Sequence, residues 1–198
     1  MSWPTQQLGE LCEFKGGLWT GKKPPFTKAK VLRITNFTKG CELDVTDAIE
    51  LDVEERQLQS RRLVDGDIII EKSGGGPNQP VGRVALCADL DGVYSFSNFT
   101  TALRINDRRK IEPKFLHQYL KTLYFRGDTE AMQSNSTNLR NLNLDAYRAI
   151  EVPIPPLPEQ QRIVGKLDAA FAALTEAQAH VERNRANARE LFESYLNG

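Results

Sequence analysis

Apolar residues follow two rhythms along this chain, and the change between them falls near Val152. Before that point the segments "KVLRI" (30–34), "DIIIE" (67–71), "GRVALC" (82–87) and "TALRI" (101–105) are short apolar or β-branched runs. Gly, Asp, Asn and Pro bound them, a pattern that predicts strands. One longer segment differs. "PKFLHQYLKTLYF" (113–125) opens on Pro113 and places Phe115, Leu116, Tyr119, Leu120 and Leu123 at helical spacing, which predicts a helix with proline in its first turn. Strands and helices do not alternate regularly, so residues 1–152 are expected to form an α+β domain rather than a doubly wound sheet.

Beyond Val152 the character changes. "VPIPPLPEQQRIVGKLD" (152–168) places four prolines between Pro153 and Pro158, and none follows. From Glu159 to Gly198 the seam positions are Ile163, Leu167, Ala170, Leu174, Ala177, Val181, Asn184, Ala188, Leu191 and Tyr195. Their steps alternate between three and four, an a/d heptad pattern with one polar break at Asn184. Some 38 helical residues make a rod of roughly 57 Å. Such a helix is expected to pair with another across its seam; a fold back onto its own domain is the alternative. The prolines at 153–158 read as a stiff linker, with Pro158 in the first helical turn, where its missing N–H costs nothing.

Composition excludes several classes. The 198 residues are 40% hydrophobic and 26% charged, ordinary for a globular chain. No apolar run reaches membrane-spanning length and the first residues lack a signal peptide's pattern, so a cytoplasmic location is expected. Cys12, Cys41 and Cys87 are far apart and odd in number, which argues for reduced thiols and against disulfides or structural zinc. With only His117 and His180, no metal site is expected. The net charge is zero, but it is segregated. Seven basic residues and no acid lie between Phe14 and Gly40, then seven acids and no base between Glu42 and Glu55. Either a phosphate-facing surface or two solvated stretches would look like this.

Three polar segments carry candidate chemistry. "KGGLWTGKKPPF" (15–26) sets Trp19 among Lys15, Lys22 and Lys23, a basic loop with an aromatic or a half-buried anchor. "EKSGGGPNQPVGR" (71–83) lacks the GK[ST] of a phosphate loop and carries Lys72, Ser73, Asn78, Gln79 and Arg83. Asn and Gln suit adenine edges and Arg suits guanine, while a long hairpin turn is the plainer reading. In "QSNSTNLRNLNLDAYR" (133–148), Asn135, Asn138, Arg140 and Asn141 suit phosphates and base edges, or Ser136 and Thr137 cap a helix. Catalysis finds no support. "KPPF" (23–26) only faintly echoes the adenine-gripping motif of amino-methyltransferases, and Asp67, Glu71 and Lys72 lack nuclease spacing.

The segments "EVPIPPLPEQQRIVGKLD", "EKSGGGPNQPVGRV", "YSFSNFTTALRI", "PKFLHQYL" and "QSNSTNLRNLNLD" together resemble specificity subunits of type I restriction–modification systems, over nearly the whole chain. The resemblance implies a non-catalytic DNA reader without a cofactor of its own. Its recognition domain would bind one half of a split double-stranded DNA target, through loops at 15–26, 72–80 and 134–141. Its helix would pair antiparallel and dock a methyltransferase subunit, which uses S-adenosylmethionine, and a restriction subunit would join. The family norm is two recognition domains and two helices, whereas this sequence has one of each, so a homodimer reading an inverted repeat is expected. A stand-alone adenine methyltransferase or nuclease, or a coiled-coil interaction module without a DNA role, are the competing expectations.

Overall fold

The computed structural model describes residues 3–19, 21, 23–76, 79–136 and 139–196. The chain divides into two compact units, residues 1–157 and 158–198. The first is a mixed α+β domain. It contains β1 (Thr5–Gln7), α1 (Leu8–Leu11), β2 (Cys12–Gly16), β3 (Phe26–Leu32), β4 (Ile49–Glu54), α2 (Glu55–Arg61), β5 (Ile68–Glu71) and β6 (Ser73–Gly75). There follow β7 (Val84–Leu86), β8 (Tyr94–Phe96), β9 (Thr100–Ile105), α3 (Pro113–Phe125), β10 (Gln133–Ser136), β11 (Leu139–Leu142), α4 (Leu144–Arg148) and β12 (Glu151–Pro153).

An antiparallel sheet in the order β2-β9-β5-β7 forms one layer and a sheet in the order β4-β3-β8 another. The main core lies between them, where Leu32, Phe96 and Tyr94 meet Ile69, Ala85 and Ala102. Ile68 and Ile70 are also fully buried. Successive residues of a strand face opposite sides, so β5 is covered on both faces and reads as an unbroken apolar run. Helix α3 lies along β7. It starts at Pro113, as its spacing predicts, and the Glu112 carboxylate caps it by accepting the Phe115 N–H at 2.8 Å.

The two charge blocks turn out to be partners. β3 pairs antiparallel with β4 and sets Lys28 opposite Asp52 and Lys30 opposite Glu50. Lys28 lies 3.3 Å from Glu50 and 3.8 Å from Asp52, and Arg33 lies 3.7 Å from Asp47. Exposed pairs of this kind add little stability, but they cancel much of the one-sided potential that the linear sequence implied.

β1 and β12 pair antiparallel, bringing the two ends of the domain side by side, and the Ile154 N–H donates to the Pro4 carbonyl at 2.8 Å. The second unit is one helix, α5 (Leu157–Leu196). Its start at Leu157 precedes the Glu159 boundary read from the prolines, and Pro153 is the last residue of β12. Along α5, Leu174, Val181, Leu191 and Tyr195 are exposed, as are Phe171, Phe192 and Leu196. Asn184 is exposed with them, while Ile163 and Leu167 are half-buried. Among the described residues no helix is long and apolar enough to cross a membrane.

Candidate nucleic-acid interface

The registers of the four-stranded sheet decide which loops meet. Gly16, the last residue of β2, pairs with Thr101 of β9; Glu71, the last of β5, pairs with Thr100; Ile70 pairs with Val84, the first of β7. The segments leaving β2 and β5, entering β7 and joining β8 to β9 therefore share one end of the sheet. Leu18 bridges to Ser97, and the Phe99 carbonyl accepts the Lys72 and Ser73 N–H groups at 3.0 and 3.2 Å.

The third polar segment joins them through a sheet that the sequence did not announce. Ser73–Gly75 leaves β5 as β6 and pairs with β11, giving the order β10-β11-β6. The 71–83 stretch is thus no simple hairpin turn. Two glycines make this possible. Gly74 has φ +106, a left-handed conformation, and a Cβ on Gly75 would stand 2.4 Å from the Gln79 carbonyl oxygen. Ser136 lies in β10, and the next helix, α4, is capped instead by Asn143, whose side-chain oxygen accepts the Asp145 and Ala146 N–H groups. Gly16–Leu18, Lys72–Gly75 and Arg140–Asn141 thus come together at one end of the domain. The 15–26 segment then runs away from it along α2, with the Lys23 N–H donating to Glu54 Oε1 at 2.6 Å and Phe26 opposite Glu54, at the end of β3 remote from the Leu32–Phe96 pair.

Individual side chains differ in what they offer there. Trp19 is 66% exposed, and its backbone N–H donates to Gln57 Oε1 at 3.1 Å. Lys15 is held by Glu13 at 2.8 Å, with its side chain 16% exposed. Lys23 is exposed, Lys72 is half-buried and Gln79 is exposed. Ser73 Oγ donates to Asn141 Oδ1 at 2.7 Å, which orients that carboxamide with its NH2 donors uncommitted by this bond. Arg140 reaches Gln133 Oε1 at 3.5 Å, and Gln133 grips the 72–83 segment by accepting the Val81 N–H and donating to the Val81 carbonyl. Lys22, Asn78 and Asn138 lie outside the described residues, as does the side chain of Asn135.

Arg83 is not a base reader in this arrangement. It is buried and forks onto the fully buried Glu71, Nε to Oε2 at 2.8 Å and Nη2 to Oε1 at 3.1 Å. It also donates to the carbonyls of Phe37 at 2.8 Å and Ile34 at 3.2 Å. Burial opposes its charge, but hydrogen bonding and attraction to Glu71 leave its pKa raised. Asp67 is similarly buried against Arg104, at 2.9 and 2.7 Å. Both carboxylates weighed as nuclease ligands are therefore committed to arginines. Among the described residues no three His, Cys, Asp or Glu side chains gather as a metal would require. The three cysteines are buried, and burial pushes the Cys12 thiol up to about 12, leaving it protonated and unreactive.

Sequence reasoning missed Lys39, Arg126 and Phe99. The first two border an open cleft of about 890 Å³ with Gln79, Gly74, Tyr124 and Phe125 along its walls. Phe99 is exposed on the short connection between β8 and β9. Alternation along the strand gave no sign that this one aromatic would face outward.

A family model for the type I restriction modification DNA specificity domain matches residues 2–183. The chain is 28% identical over 153 residues to the type I restriction enzyme StySPI specificity subunit of Salmonella potsdam. It is equally identical, over the same length, to the EcoKI specificity subunit of Escherichia coli K12. Each match covers 77% of this chain and 32% of the relative. In structure it resembles the type I restriction–modification S subunit from M. genitalium, with TM-score 0.57, 19% identity, and 93% of this chain against 43% of that one. It also resembles a chain from a structure concerning complex assembly and conformational transition of the type I R-M system. There the TM-score is 0.64 at 23% identity, over 92% of this chain and 42% of the other. The chain thus spans about a third of the length of these curated relatives, and at such identities the structural likeness speaks to the fold.

Proposed function

From the premise that the chain belongs to the type I restriction modification DNA specificity domain family, we propose that it reads one half of a bipartite double-stranded DNA target and positions a methyltransferase. The observation carrying this reading is the meeting of parts of three polar segments, Gly16–Leu18, Lys72–Gly75 and Arg140–Asn141, at one end of the domain, with Ser73 and Asn141 held together. The chain contributes recognition without chemistry or a cofactor of its own. A methyltransferase subunit bound to α5 brings S-adenosylmethionine, and a restriction subunit completes the assembly, in the cytoplasm.

The exposed seam of α5 supports a second copy as its helical partner. Antiparallel pairing places one recognition domain at each end, so the target is an inverted repeat with an unread spacer. The 40 residues of α5 give a rod of ~60 Å, which limits half-site separation to roughly 18 base pairs at ~3.4 Å each.

Methylome sequencing of cells expressing the chain with its methyltransferase tests the proposal. One palindromic, interrupted motif is expected; methylation without sequence preference would overturn it. Single-charge substitutions add resolution. Lys72→Gln is expected to lower affinity for all duplexes alike and to reduce the salt slope by about one. Lys15→Gln, whose ammonium Glu13 already holds, is expected to leave that slope unchanged. Binding across a salt titration reads both.

A further inference from the structure

Phe99 has no structural reason to be aromatic. It is 45% exposed, in a connection only three residues long between two buried strands. Core packing does not require its ring, and a polar side chain would be the ordinary choice at an exposed turn. Its backbone, in contrast, is fixed. The Phe99 carbonyl accepts two N–H groups from Lys72 and Ser73, and the Thr100 N–H and hydroxyl both donate to the Ser97 carbonyl, at 3.0 and 2.8 Å. The ring is thus displayed from a turn with little freedom, the condition under which a contact costs least entropy on binding.

Its surroundings define what it suits. Ser73, anchored to the Phe99 carbonyl through its N–H, holds the Asn141 carboxamide by its hydroxyl. Gly74 flanks the ring, and a Cβ there would lie 3.6 Å from Phe99 Cδ1 and 2.9 Å from Ile34 Cδ1. The missing side chain leaves a small apolar notch beside an oriented amide. Amide donors and acceptors beside an apolar contact match the major-groove edge of an A·T pair, where adenine offers N6 and N7 and thymine its C5 methyl group.

Resting on the DNA-reading role above, we propose that Phe99 is a specificity-determining residue that packs against a thymine methyl group in the major groove of the half-site. The Ser73–Asn141 pair lies on the same ledge and reads the adjoining base edge.

The test uses the chain assembled with its methyltransferase and a duplex carrying the motif that it methylates. Each thymine of the half-site is replaced in turn by deoxyuridine, which removes only the methyl group. At one position the wild-type complex is expected to lose about fourfold in affinity, the factor for one buried methyl group. Phe99→Ala is expected to bind the thymine and deoxyuridine duplexes equally there, with binding to unrelated DNA unchanged. Phe99→Leu, which keeps an apolar side chain, is expected to retain part of the discrimination. Wild-type indifference at every thymine overturns the proposal without recourse to any variant, as does an undiminished thymine preference in Phe99→Ala. A complex that fails to distinguish its motif from scrambled DNA fails earlier, and overturns the DNA-reading role itself.

Discussion

Replacing Arg83 with methionine is expected to lower the stability of the recognition domain by about 4 kcal/mol, because it strands a buried carboxylate. Glu71 is fully buried, and Arg83 supplies both of its forked hydrogen bonds. The same guanidinium satisfies the carbonyls of Ile34 and Phe37 and stacks 5.7 Å from the Phe37 ring. For a domain of this size the loss corresponds to a fall of about 10 °C in melting temperature, readable by circular dichroism. Glu71→Gln on top of Arg83→Met removes the stranded charge and is expected to recover about half of the loss, because the Phe37 and Ile34 carbonyls still lack the guanidinium, Ile34 keeping only its bond from the Phe37 N–H. A single Arg83→Met variant that melts within about 2 °C of wild type would show that the pair is not the clamp described. The clamp matters for the interface because its two residues stand at the two stems of the 72–82 segment. There the Glu71 N–H donates to the Arg83 carbonyl and the Gly82 N–H to the Glu71 carbonyl. Arg83 then reaches across to the 34–37 segment, so one ion pair ties the 72–82 segment to the opposite wall of the cleft that Ile34, Phe37, Gly74 and Gln79 line.

That clamp also shows where the sequence stops being legible. Helix α3 was readable because its signal is local: Pro113 at the start and apolar residues at one period. The heptads of α5 were readable for the same reason, as was the three-isoleucine core of β5. The acids bounding that strand were misleading. Asp67 and Glu71 look like solvent boundaries, yet each is buried by an arginine, 37 and 12 residues away, and only tertiary structure reveals such partners. β6 was invisible for a related reason. Glycine is depleted in strands, and Ser73–Gly75 becomes one only because β11 lies beside it. The charge blocks were visible but ambiguous until the β3–β4 register set one against the other. The polar segments were visible in the sequence, but not which parts of them meet, nor the exposure of Phe99, nor the difference between a tethered Lys15 and an exposed Trp19. Those depend on which neighbour each side chain meets.

A charge placed in the α5 seam tests assembly, as the stability of the domain cannot. Leu174 and Val181 are exposed and one heptad apart, with Asn184 following at the next seam position. In an antiparallel pair of these helices the apolar seam residues pack as knobs into the facing helix. Leu174→Glu combined with Val181→Glu buries four carboxylates per dimer without partners, at several kcal/mol in total even after partial solvation. The proposed dimer is therefore expected to dissociate at micromolar concentration, with a sedimentation profile of a single chain. Melting of the recognition domain is expected to stay within about 2 °C of wild type, since the substituted positions are already exposed in the single chain. Methylation of the interrupted motif is lost while residual duplex binding persists, because each half-site reader remains folded but no longer has its mate at a fixed distance. Asn184→Leu works in the opposite direction: it removes the polar break, tightens the pair and loosens its register, so that spacers one or two base pairs from the native length become acceptable substrates. A double-glutamate variant that still sediments as a dimer would remove α5 as the pairing element and, with it, the inverted-repeat geometry.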